Sequence, residues 1–96
     1  MARQIFRFKA KIWRWPGYAG WHFVTLPKPL SRKIKKTSKT YGSGFVKVKV
    51  SVGKSIWTTA LFPHKASDSY ILSVKKPIRK KEGLYEDDTI NISLAI

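Results

Sequence analysis

Two runs of this chain set cations around a proline: Lys28-Pro29-Leu30-Ser31-Arg32-Lys33-Ile34-Lys35-Lys36 and Lys75-Lys76-Pro77-Ile78-Arg79-Lys80-Lys81. Proline suits the first turn of a helix, where its missing N–H costs nothing, so each run reads as a short helix with a basic surface. Such surfaces do electrostatic chemistry, drawing in phosphates and releasing their counterions. The expected nucleic-acid contacts are therefore Lys28, Arg32, Lys33, Lys35, Lys36, Lys75, Lys76, Arg79, Lys80 and Lys81, with Trp13, Trp15, Tyr18 and Tyr41 as stacking groups. A competing reading makes Trp13, Trp15, Trp21, Trp57 and Tyr70 the aromatic mouth of a barrel that binds a peptide, a protein partner or an apolar ligand. The positive charge would then serve solubility. Trp21 and Trp57 lie within strands and are expected to fill the core, whereas Trp13 and Trp15 stand beside a Pro-Gly turn and are expected to be exposed.

Catalysis needs acid, base or nucleophile groups that converge, and these are scarce. The histidines are His22, expected on a strand surface, and His64, which stands four residues before Asp68 and could pair with it but is expected in a solvated loop. With no cysteine, neither a disulfide nor a thiolate metal site can form, and two isolated histidines make a poor ligand set. Glu86, Asp87 and Asp88 are expected to cap a turn and solubilise it, or to pair with the adjacent basic helix, and not to hold a cation. No enzyme, cofactor or metal is expected.

The charge is +15 over 96 residues, with 20 Lys and Arg against five Asp and Glu, and all five acids fall at or after Asp68. That imbalance favours a polyanionic partner, nucleic acid first. Lys outnumbers Arg, which supplies undirected charge and little base readout. A hydrophobic fraction of 43% is that of a packed globule, and the length allows one domain over residues 1–96. No apolar run could span a bilayer, and MARQIFRFKAK alternates where a signal peptide needs a continuous apolar stretch, so a cytoplasmic chain is expected.

The elements that would position these groups follow from periodicity. Ile5 to Trp13, Phe45 to Val52, Tyr70 to Val74 and Ile90 to Ile96 alternate apolar and polar residues, as half-buried strands do. Trp21 to Leu26 and Ser55 to Phe62 add two more, with Gly53-Lys54 as a hairpin turn and Pro63 to Ser67 as a loop. Helical turns are predicted from Pro29 or Leu30 to Lys36 and from Pro77 to Lys81, the second stopped by Gly83. Thr37 to Ser43 reads as a polar loop.

A shift of 48 residues lays VTLPKPLSRK (Val24 to Lys33) over LSVKKPIRKK (Leu72 to Lys81), matching Lys28 to Lys76, Pro29 to Pro77 and Lys33 to Lys81. After a four-residue change in loop length, Val46, Val48 and Val50 fall on Ile90, Ile92 and Leu94. Two tandem β-β-α-β halves, about 1–50 and 51–96, are predicted. Neither half can pair all its strand edges alone, so they are expected to close into one six-stranded closed or double-split β-barrel, a mainly β fold, and to do so within a monomer.

LSVKKPIRKKEGLYEDDTINISL resembles the AbrB/MazE-like half-barrel, in which a strand leads into Pro-x-x-hydrophobic-Arg, a short helix and a Gly-Asp turn. That resemblance implies DNA contacts at the basic helix junctions. Over nearly the whole chain, Trp21, Val24, Leu26, Pro27, Val46 to Val52, WTTALFP (Trp57 to Pro63) and Tyr70 to Leu94 are more similar to a family of small barrels, domain of unknown function nineteen-oh-five. Some members of that family are joined to a YdeI/OmpD-associated domain; none is expected after Ile96. The resemblance implies a fold and no reaction. Where the usual final turn is Gly-Asp, this chain has Asp87-Asp88, which puts Asp at a position suited to positive φ.

Overall fold

A computed structural model describes residues 4–17, 19–37 and 44–96. Tyr18, Tyr41 and the rest of residues 38–43, where a polar loop is predicted, lie outside the described residues. The elements are β1 (Ile5–Lys11), β2 (Trp13–Arg14), β3 (His22–Thr25), α1 (Lys28–Thr37), β4 (Val46–Val52), β5 (Ser55–His64), a 3₁₀ turn (Lys65–Ser67), β6 (Ser69–Ser73), α2 (Lys76–Glu82) and β7 (Thr89–Ala95). All strand pairs are antiparallel, in the order β1-β7-β4-β5-β6-β3-β2.

The fold is mainly β, but it is a curled half-barrel of seven strands and not the closed six-stranded barrel expected from the pattern. Ile12 is the reason. The single strand predicted over Ile5 to Trp13 is interrupted there, because Ile12 N–H donates to Asp88 O at 2.8 Å and Ile12 O accepts from Asp87 N–H at 2.8 Å. Both backbone groups of Ile12 are thus satisfied by the turn before β7, as a buried residue requires. Upstream, β1 stays paired with β7; downstream, β2 pairs with β3 through Trp13↔Phe23 and Arg14↔His22. The two edges of the sheet are consecutive lengths of chain.

Alternation sets the inner face. Val46, Val48, Val50 and Val52 of β4, Ile90, Ile92 and Leu94 of β7, and Val24, Leu26, Leu72 and Val74 form the buried core. Ile34 of α1 is buried in it, and Leu30 and Ile78 pack against it from the two helices. The ladder β3–β6 pairs Val24 with Leu72, flanked by Phe23↔Ser73 and Thr25↔Ile71. Leu26 N–H to Tyr70 O and Val74 N–H to His22 O extend it evenly at both ends. The ladder β4–β7 pairs Val50 with Leu94. At the outer rim Ile96 N–H donates to Gln4 O at 3.0 Å.

Pro63 lies inside β5, where the sequence suggested a loop. Proline cannot donate to a ladder, and here it need not. Its opposite residue is Tyr70, whose own N–H is taken by Ser31 Oγ at 3.1 Å and whose carbonyl accepts from Leu26. The final turn places Asp87 at φ 73°, the left-handed conformation anticipated at that position, and Asp88 Oδ2 accepts from Tyr85 N–H at 2.8 Å. Gly83 ends α2 at φ 65°, its N–H on Arg79 O.

Glu82, at the end of α2, ties that helix to the β4–β5 hairpin: Ser55 Oγ donates to its carboxylate at 2.6 Å and Lys54 N–H at 3.4 Å. The Ser55 hydroxyl holds the Glu82 carboxyl below the ordinary carboxylate range; desolvation opposes this, and the Lys54 amide and the Lys81 and Lys54 charges add to the lowering. A carboxylate with a depressed folded pKa contributes stability that is complete above its unfolded pKa and is lost as pH falls through the folded value. Glu82→Gln is therefore expected to lower the melting temperature at neutral pH, with the gap to the parent protein closing as pH falls from ~6 toward ~3. Thermal melts across that range check it; a gap that stays constant or widens in acid would assign the bond no role in acid sensitivity.

Candidate nucleic-acid interface

Helix α1 carries Lys28, Arg32, Lys33, Lys35 and Lys36 exposed, because the inward positions go to Ser31 and Ile34. Lys33 Nζ lies 5.7 Å from the centre of the Phe6 ring, a cation–π contact that holds its stem against β1. Helix α2 carries Lys76, Lys80 and Lys81 exposed, and Lys75 precedes it. Arg79 is half-buried, its Nε donating to Val74 O at 3.0 Å. Pro29 and Pro77 are each the second residue of their helix.

Each helix borders an open cleft. The first, of about 250 Å³, is lined by Ser31, Arg32, Lys35, Pro63, His64, Lys65, Asp68, Ser69 and Tyr70. Its floor is closed by a buried hydroxyl pair: Ser31 and Ser69 share a hydrogen bond of 2.5 Å, and Ser69 Oγ donates to Leu26 O at 2.7 Å. These bonds satisfy groups that burial would otherwise leave unpaired. Tyr70 is buried beside them, and burial raises its phenol pKa. The second cleft, of about 530 Å³, is lined by Ala19, Gly20, Trp21, His22, Ser73, Val74, Lys75, Lys76 and Arg79. The clefts sit at opposite ends of the β3–β6 ladder.

The aromatic groups do not gather into one mouth. Trp13, Trp15, Phe23 and His64 pack as a cluster, with Trp13 centred 5.7 Å from Trp15, 5.3 Å from Phe23 and 5.7 Å from His64. Trp13 Nε1 donates to Thr25 Oγ1 at 2.9 Å. Trp13 is half-buried and Trp15 is 36% exposed, and their ring faces contact one another and their neighbours. Trp57 packs against the core from the inner side of β5, as expected. Trp21 does not fill the core: it is 56% exposed. Along β3, Val24 and Leu26 belong to the core, and Phe23 instead meets the outer aromatic cluster, which gives Trp21 the outward parity. His22 is half-buried, its Nδ1 bonded to Gly20 O at 2.7 Å. His64 forms no pair with Asp68; its Nδ1 meets Ser67 Oγ at 2.9 Å.

A third basic surface was not singled out in the sequence. On the outer side of the sheet β1 presents Arg7, Lys9 and Lys11, and β4 presents Lys47 and Lys49. Across β7, Arg7 lies level with Ser51 and Ile5 with Lys49. Lys11, Lys9, Arg7 and Lys49 therefore form a diagonal ~20 Å long in the strand direction and ~10 Å across. The outward positions of β7 and β5 are neutral: Thr89, Asn91, Ser93, Ala95, Ile56, Thr58 and Ala60. Alternation revealed that these cations face outward, but only strand order could show that they are neighbours.

The family described as Domain of unknown function (DUF1905) matches residues 8–94. The chain belongs to it. No curated protein matches this DUF1905 chain. The matched span takes in both helices, both clefts and all seven strands apart from the start of β1 and the end of β7. Among its described residues no helix is long and apolar enough to cross a membrane, and no three His, Asp or Glu side chains gather as metal ligands.

Proposed function

We propose that this chain is a non-catalytic module that binds nucleic acid through its basic surface. The observation that carries the reading is segregation of charge. Glu82 and Asp88 are hydrogen-bonded to Ser55, Lys54 N–H and Tyr85 N–H, which leaves Asp68, Glu86 and Asp87 as exposed acids against the many cations that face solvent on α1, on α2 and along the outer sheet. Arrays of this kind meet phosphates with little base readout, which suits a chain rich in Lys and poor in Arg.

Support for a 48-residue duplication comes from the registers. Val24 pairs with Leu72 and Val50 with Leu94, so each ladder is centred on two residues that the repeat makes equivalent. In this reading the two basic helices are copies, related as the AbrB-like halves of a dimer are, and a monomer in the cytoplasm is the working species. Light scattering giving an obligate dimer would remove that part of the proposal.

The binding test is fluorescence anisotropy with a labelled duplex of ~20 base pairs at two salt concentrations. If about six phosphates are neutralised, affinity falls ~1,000-fold between ~50 and ~200 mM salt. No binding at the lower concentration, or binding indifferent to salt, would exclude the nucleic-acid reading.

A further inference from the structure

Trp21 stands apart from the packed tryptophans Trp13, Trp15 and Trp57. It is large and apolar, it is 56% exposed, and among the described residues its ring contacts no other aromatic ring. It also lines the roomier of the two helix clefts, whose opposite wall is cationic. We infer that this cleft is a site for single-stranded nucleic acid, with one base stacked on Trp21 and its phosphate held by Lys75, Lys76 and Arg79.

The geometry assigns each group a part. A base needs a flat apolar face, and Trp21 offers one immediately before β3. Arg79 is positioned by its own backbone contact: Nε is fixed on Val74 O, which directs the guanidinium and leaves its terminal amino groups as donors. Lys75 and Lys76, at the start of α2, are exposed and carry the remaining charge. His22 Nδ1 donates to the Gly20 carbonyl, which fixes the orientation of the ring beside the cleft. A volume of about 530 Å³ is that of a small-ligand cleft.

The first cleft differs at the equivalent positions. In the 48-residue register Trp21 corresponds to Ser69 and Arg79 to Ser31. Ser69 and Ser31 are buried and bonded to each other, so the first cleft has a closed polar floor and no free ring face at that position. The same place in the second cleft holds an open tryptophan and an arginine.

This inference rests on the nucleic-acid reading, and the experiment separates the two. Anisotropy is measured with a single-stranded oligothymidine of about ten nucleotides and with a duplex of the same length. Trp21→Ala is expected to weaken the single strand roughly 5- to 150-fold, leaving the duplex within about twofold, because base stacking is available only to unpaired bases. Trp21→Phe should restore most of the lost affinity, and the exposure of Trp21 makes both variants compatible with folding. Equal losses for both probes, no loss for either, or duplex binding without single-strand binding would overturn the cleft and leave the basic surface standing. Failure of the parent protein to bind either probe at low salt would overturn both.

Discussion

Ile12→Ala is expected to lower the unfolding free energy by ~2–5 kcal/mol, the cost of emptying a fully buried aliphatic site. Ile12 has no exposed surface, and its backbone joins both edges of the sheet to the turn before β7. For a domain of this size each kcal/mol moves the melting temperature by about 4–8 °C, so a fall of roughly 10 °C or more should be seen. The matched control is Ile56→Ala, the same chemical change at a site 61% exposed on the outer sheet, expected within ~0.5 kcal/mol of the parent. Denaturant melts of the two variants decide the matter. Equal effects would mean that the junction at Ile12 does not hold the sheet.

Lys28→Glu combined with Lys76→Glu should weaken duplex binding about 100-fold at ~50 mM salt, since two reversals remove two favourable charges and add two repulsive ones. The pair is chosen for its position. Lys28 and Lys76 are the first residues of α1 and α2, where a carboxylate interacts well with the helix dipole, so the variant should fold at least as well as the parent. Reversals in the last turns, at Lys36 or Lys81, would confuse lost binding with a weakened helix. Lys33 carries its contact with Phe6 and is avoided for a similar reason. Unchanged affinity in a folded variant would remove the helices from the interface and leave the outer-sheet diagonal as the place to look.

Local signals were readable where one neighbouring element decides the outcome. The alternation of Val46 to Val52 gave its inner face directly, and Pro77 and Gly83 bracketed α2. The Asp87-Asp88 pair in place of Gly-Asp marked a position of positive φ, and Asp87 adopts it at 73°. What could not be read depends on partners far along the chain. Ile12 breaks its strand because Asp87 and Asp88 claim its backbone, and nothing near Ile12 announces this. Pro63 stays in its strand because Ser31 relieves Tyr70 of the need for a ladder partner. Within the candidate site, the exposed cations of both helices were legible from the Pro-led runs. Trp21 was misplaced because β3 is apolar on both faces: one side meets the core and the other meets Trp13, so alternation alone had no sign to offer.

The hydrogen bond between Ile96 and Gln4 places the two extremities of the described chain side by side. Covalent order and spatial order are therefore separable in this architecture. Joining Gln4 to Ile96 by a short linker and opening the polypeptide at Gly53-Lys54 would yield a rewired molecule that begins with β5 and finishes with β4. Every ladder would keep its partner, and both lysine-rich helices would keep their seats.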